Sequence, residues 1–219
     1  HLNGSLIVPL FDAAGQVVNF YGRKIRSDLR AGTPLHLYLS GPRRGLFNRA
    51  AMTPGACEEL IVCEALIDAL TFWCAGLRNV TSAYGIEGAT DELIDAIKAS
   101  GVARVLIAFD RDEAGERGAA KLAAALQALG IECFRVVFPK GMDANEYAAK
   151  VQPAAKSLGL LIRKAEWMGK GVAPKREHVE PVEITSCDVK ADATSAAPLA
   201  AKEEAPALPA AAVPSAPTA

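Results

Sequence analysis

Residues 105–115 read VLIAFDRDEAG, and this stretch decides the fold. Four apolar residues and Phe109 run directly into Asp110-Arg111-Asp112, and a helix-forming segment follows at once. Two carboxylates one residue apart at the end of a buried strand repel each other, and each resists desolvation. A divalent cation is the usual compensation. If the strand continues, Asp110 and Asp112 point to opposite sides. If the chain turns into a loop they share one side, and Gly115 supports the loop.

The same strand-then-helix pattern extends on both sides. Upstream, LIVCE (60–64) is a short apolar strand ending in Glu64, and ALIDALTFWCAG is helical and closed by Gly76. NVTSA is a strand. Thr90 caps DELIDAIKAS, with Asp91 and Glu92 at the positive end of that helix. Downstream, an Ala-rich amphipathic helix runs from Gly115 to Leu129 and ends at Gly130, and ECFRVVF (132–138) is a strand. Such alternation predicts a parallel sheet with helices on its faces. Sites in these sheets lie at the carboxyl ends of strands, where Glu64 and Asp110 both fall.

The flanks read differently. Residues 4–39 are β-like: SLIVPLFD and QVVNFYGRKI enclose a hairpin turn at 13–15, LHLYL (35–39) is a third strand, and SGPRRG (40–45) is a basic loop. Residues 153–171 read as one helix. Beyond 172 the apolar periodicity fails, and from 191 the chain is mostly Ala and Pro, the composition of a disordered tail or linker. The expected organisation is a small basic β-rich subdomain over 1–56, an α/β domain over 57–150, a helical extension over 151–171 and the tail over 172–219.

The chain has 219 residues, of which 51% are hydrophobic and 22% charged, enough for one sizeable core. No apolar run is long enough to span a membrane and no leader opens the chain. Its first residue is His1 rather than Met, as expected for a fragment or a processed chain. None of the five cysteines forms a Cys-x-x-Cys pair, so reduced thiols in a cytoplasmic protein are expected rather than a zinc site. Residues 1–50 carry seven basic side chains against Asp12 and Asp28, whereas residues 51–150 carry nine against fifteen acidic ones. A basic module beside an acidic one suits a polyanion on the first and metal on the second.

Three acidic clusters are expected at one sheet edge: Glu64 with Asp68 four residues on, Asp110 with Asp112, and Asp143 in PKGMDANEYA, followed by Asn145. Taken singly, these residues are better read as strand-end, capping or turn residues. Together they suit Mg²⁺ or Mn²⁺, which take oxygen ligands from few carboxylates and from substrate phosphates. Phosphoryl transfer is the chemistry that uses such ions.

LIVCEALIDAL followed by LIAFDRDEAGERGAAKLA resembles the Toprim domain, the catalytic fold shared by bacterial DnaG-type primases, type IA and II topoisomerases and some nucleases. The resemblance covers about residues 6–147. Its signature glutamate is Glu64 and its Asp-x-Asp is Asp110 and Asp112. Asp68, the Ala-Gly after the Asp-x-Asp, and the loop carrying Asp143 and Asn145 resemble the primase branch. The amino-terminal IVPLFDAAGQVVNFYGRKI and HLYLSGPRRGLFN resemble the small basic subdomain of phage- and plasmid-type primases.

The resemblance implies a primase catalytic core that makes short RNA primers on single-stranded DNA from nucleoside triphosphates. In it Glu64, Asp110 and Asp112 are catalytic, and these with Asp68, Asp143 and Asn145 hold Mg²⁺ or Mn²⁺. Arg23, Lys24, Arg43, Arg44 and His36 contact nucleic acid or nucleotide. A replicative helicase is an implied partner, and the zinc-binding module of the family would lie upstream. A Toprim nuclease and a non-catalytic nucleic-acid-binding protein on the same fold are the competing readings.

Overall fold

The computed structural model describes residues 2–26, 28–85 and 89–176. The Ala/Pro-rich segment, and Cys187 within it, lie outside these residues.

Two sheets organise the chain. The first is antiparallel, with β1 (Ser5–Phe11), β2 (Val17–Lys24) and β3 (His36–Tyr38) in that spatial order. The turn between β1 and β2 closes on Asp12, whose carboxylate accepts from the amides of Ala14 and Gln16. A 3₁₀ turn (Arg49–Met52) leads into the second sheet.

That sheet contains β4 (Glu59–Cys63), β5 (Val80–Ser82), β6 (Arg104–Ala108), β7 (Glu132–Arg135) and β8 (Glu166–Trp167). Its order is β5-β4-β6-β7-β8; the first four are mutually parallel and β8 is antiparallel to β7. The intervening helices are α1 (Leu66–Cys74), α2 (Asp91–Ser100), α3 (Glu113–Gln127), α4 (Ala144–Lys150) and α5 (Ala154–Arg163).

Strand residues alternate between two apolar layers, as the period of two requires. Ile61, Cys63, Leu106, Ala108 and Phe134 face α1, α4, α5 and the inner face of the small sheet, represented by Leu10 and Tyr21. Leu60, Val62, Val105, Ile107 and Cys133 face Leu93 and Ile97 of α2 and Leu122 and Leu126 of α3. Both faces of the sheet are thereby covered, which is why its strands are apolar throughout.

Residues 153–171 are not one helix. The helix stops at Arg163, and Glu166–Trp167 pairs with β7 as an edge strand. Trp167 lies 5.1 Å from the Phe134 ring, a long-range aromatic contact that overrides the local helical pattern. Arg176 continues the ordered chain past 172: it donates to Glu59 (2.8 and 3.2 Å) and to the Ile162 carbonyl (3.0 Å). Glu59, only 5% exposed, also faces Arg104 at 3.5 Å.

Candidate active site

The parallel strands deliver their acids to one edge. Glu64 directly follows β4, Asp110 and Asp112 follow β6, and Asp143 ends the loop after β7. Asp68 reaches the same edge from the first turn of α1. The chain leaves β6 as a turn, and Asp112 becomes the N-cap of α3, accepting from Gly115 N at 2.7 Å. Asp143 caps α4 in the same way through Glu146 N at 2.7 Å. Capping uses one oxygen of each carboxylate, so capping and ligand roles coexist here.

These carboxylates act on one another. Burial, then Asp110, pushes the Glu64 carboxyl above its usual range, although the Asp110 amide reaches its Oε2 at 3.4 Å. Burial, then Asp143 and Asp112, raises Asp110. Asp68 is 4% exposed and pushed up to about 7, by burial first and then by Asp110 and Asp143. Its Oδ1 is buried without a hydrogen-bond partner. An orphaned acceptor among four other carboxylates, all of them hard oxygen donors, fits a hard divalent cation. Among the described residues no three acid, imidazole or thiol groups converge closely enough to hold an ion alone. The side-chain nitrogen of Asn145 donates to the Ile67 carbonyl at 3.4 Å, while its main-chain amide acts on Asp68.

Gly115 permits this crowding. A Cβ there would overlap the Asp110 carbonyl oxygen and sit 3.1 Å from Glu64 Oε2. A cavity of about 200 Å³ opens beside it, lined by Asp110, Arg111, Asp112, Met142, Asp143 and Glu146. Arg111 secures its rim by donating to the Phe138 carbonyl at 3.0 Å. A larger cavity, about 530 Å³, lies at the opposite, amino-terminal edge near Glu59 and Trp73, away from the acids.

The small sheet brings cations toward the acids. Tyr21 is 1% exposed and its hydroxyl bonds His36 Nδ1 at 2.8 Å. The other ring nitrogen, Nε2, faces the Arg23 guanidinium, a pairing that suits the neutral ring with its proton on Nδ1. Burial and Arg23 lower its pKa accordingly. Tyr21 packs in one apolar layer with Cys63 and Leu66, on either side of Glu64, and both Arg23 and Asp68 act electrostatically on its hydroxyl. Arg43 acts on Tyr38 and Tyr84 in the same sense. Tyr84 fixes the basic loop by bonding the carbonyls of Arg44 and Gly45. Lys24 is tied to the Asn3 carbonyl at 2.5 Å.

Sequence reasoning missed Arg135, a buried cation beneath the acids, and the tyrosines that seat the basic loop. A lone arginine inside the apolar run ECFRVVF was the available signal for Arg135.

Residues 61–148 match the Toprim-like family model. The DNA primase of Staphylococcus aureus (strain COL) is 27% identical over 154 residues, covering 66% of this chain but 24% of that protein. The chain therefore spans about a quarter of the length of the curated relatives it matches. The Escherichia coli primase catalytic core superposes with a TM-score of 0.61 at 20% identity, covering 75% of this chain and 53% of that one. The DnaG primase catalytic domain bound to single-stranded DNA gives 0.60 at 20% identity, covering 75% and 52%. The fold is thus that of primase catalytic cores. No helix among the described residues is long and apolar enough to cross a membrane.

Proposed function

We propose that this chain, whose residues 61–148 form a Toprim-like domain and whose sequence is similar to DNA primases, is the catalytic core of a primase. It joins nucleoside triphosphates into short RNA primers on a single-stranded DNA template, in a cytoplasmic setting and beside a replicative helicase. The observation that carries this reading is the coupled acidic edge, with the orphaned Oδ1 of Asp68, facing the basic corner of the small sheet.

Glu64, Asp68, Asp110, Asp112 and Asp143 would hold Mg²⁺ or Mn²⁺. When bound, the cation would offset charge developing on the transferred phosphate and on the departing pyrophosphate. Glu64, whose carboxyl is raised, is suited to accept the proton of the attacking 3′-hydroxyl. Arg23, Arg43 and Arg44 grip phosphates of the template or the nucleotide. Burial of Tyr21, Tyr38 and Tyr84 holds those arginines on a rigid base, which favours productive alignment.

One gel tests the reading. Unlabelled template with labelled nucleoside triphosphates, and separately end-labelled single-stranded DNA, are incubated with Mg²⁺ or Mn²⁺ beside an Asp110→Asn control. New short labelled oligomers that vanish in the control are expected. Shortening of the labelled DNA would replace this reading with a nuclease. Binding without either product, also after a zinc-binding primase module is supplied in trans, would leave a non-catalytic nucleic-acid-binding protein.

A further inference from the structure

Arg135 closes β7 and is 5% exposed. All five of its N–H groups are engaged. Nη1 donates to the carbonyls of Ile107 (3.1 Å) and Val136 (2.9 Å). Nη2 donates to the Asp110 carbonyl (2.9 Å) and to Glu116 Oε1 (2.9 Å), and Nε reaches Glu116 Oε2 at 3.5 Å. Glu116 takes only two of the five donors. Here three contacts go to main-chain oxygens, and all three belong to the ends of the strands that deliver the acids.

We propose that Arg135 is a positioning residue for the acidic edge: its guanidinium clamps the ends of β6 and β7, so that Asp110 and Asp112 stand in place before any cation arrives. The clamp acts on Asp110 through its carbonyl, leaving the carboxylate free to bind. Arg135 also acts electrostatically on Glu64 and Asp110 in the direction opposite to their acidic neighbours, so it offsets part of the repulsion in the metal-free site. A lysine cannot replace it, because an ammonium offers three donors from one point rather than a planar fork. The proposal rests on the reading that this edge holds a divalent cation.

Arg135→Lys keeps the charge and removes the fork. Glu116→Ala loosens the fork by removing its carboxylate partner on the exposed side. Leu126→Ala, at a fully buried position at the far end of α3 from Glu116, lowers stability away from the acids and serves as the control. Each full-length variant is compared with the parent at a temperature where all are folded. One readout is amide exchange of residues 109–113 without metal, and the other is Mn²⁺ affinity by electron paramagnetic resonance. Arg135→Lys is expected to speed exchange at 109–113 and to weaken Mn²⁺ binding, each by at least tenfold. Glu116→Ala is expected to shift both in the same direction by less, and Leu126→Ala to shift neither. Unchanged exchange at 109–113 in both Arg135→Lys and Glu116→Ala, or the same change in Leu126→Ala, overturns the clamp. If Arg135→Lys does not fold, Glu116→Ala decides. If the parent binds no Mn²⁺, the metal reading fails by itself, and the exchange data alone decide the clamp.

Discussion

Replacing Asp68 with Asn should make the metal-free protein more stable at neutral pH and should remove a specific part of its pH dependence. Asp68 is 4% exposed with a carboxyl pushed up to about 7 from an ordinary 3.8. An acid whose folded pKa is raised stays protonated in the fold while the unfolded chain already ionises. Stability is then unaffected below about pH 3.8, falls as pH rises from there to about 7, and levels off above. At about 1.36 kcal/mol per pH unit the ceiling is about 4 kcal/mol, and ~2–4 kcal/mol is a realistic range once the site relaxes. Asparagine keeps the shape, and its side-chain oxygen still accepts the Asn145 amide that Asp68 engages, but it carries no charge. With EDTA present, Asp68→Asn should match the parent near pH 4 and exceed it by ~2–4 kcal/mol at pH 8. For a chain of this size that is a gain of roughly 5–15 °C in melting temperature. Adding Mg²⁺ should raise the parent more than the variant and narrow the gap. The assay is urea unfolding from pH 4 to 8, read as the difference between the two proteins so that other titrations cancel. A difference that does not change with pH, or a variant less stable at pH 8, would refute the argument that Asp68 is a buried, uncompensated acid.

Other perturbations probe the remaining parts. Gly115→Ala pushes a methyl group into the Asp110 carbonyl and against Glu64; we expect a loss of about 1–3 kcal/mol and weaker Mn²⁺ binding, and an unaltered Mn²⁺ titration would remove the need for close approach there. Arg176→Met strips a buried cation from Glu59 and should lower stability by about 3 kcal/mol; the denaturation midpoint should fall without a change in slope, and a neutral result would show that Arg104 alone satisfies Glu59. Arg23→Ala should weaken binding of single-stranded DNA to a similar degree for all sequences and reduce the salt slope by about one ion. An identical slope would take Arg23 off the phosphate path.

The acidic edge was legible because strand–helix alternation has geometric consequences: once β4, β6 and β7 are parallel, Glu64, Asp110 and Asp143 must emerge at one edge. The capping of α3 by Asp112 was equally local, since it depends on residues three apart. Arg135 was hidden because its partners are carbonyls of a neighbouring strand and a carboxylate on α3, a set that no local spacing encodes. The same holds for β8. The helical periodicity of 153–171 is real up to Arg163, and what ends it is Phe134, some thirty positions earlier in the chain. The contact of Lys24 with the Asn3 carbonyl was likewise not legible, since it depends on the register that sets the end of β2 beside the residues before β1.

The bond between Arg176 and Glu59 also has a practical consequence. Glu59 opens the five-residue central strand β4, and Glu64 follows its far end. A support or fluorophore coupled at the exposed Lys175 beside Arg176 would leave that pair intact and be anchored about 17 Å, one strand length, from the acids. On a sensor surface the protein would be held by the edge away from the acids, and long templates would approach the other without meeting the support.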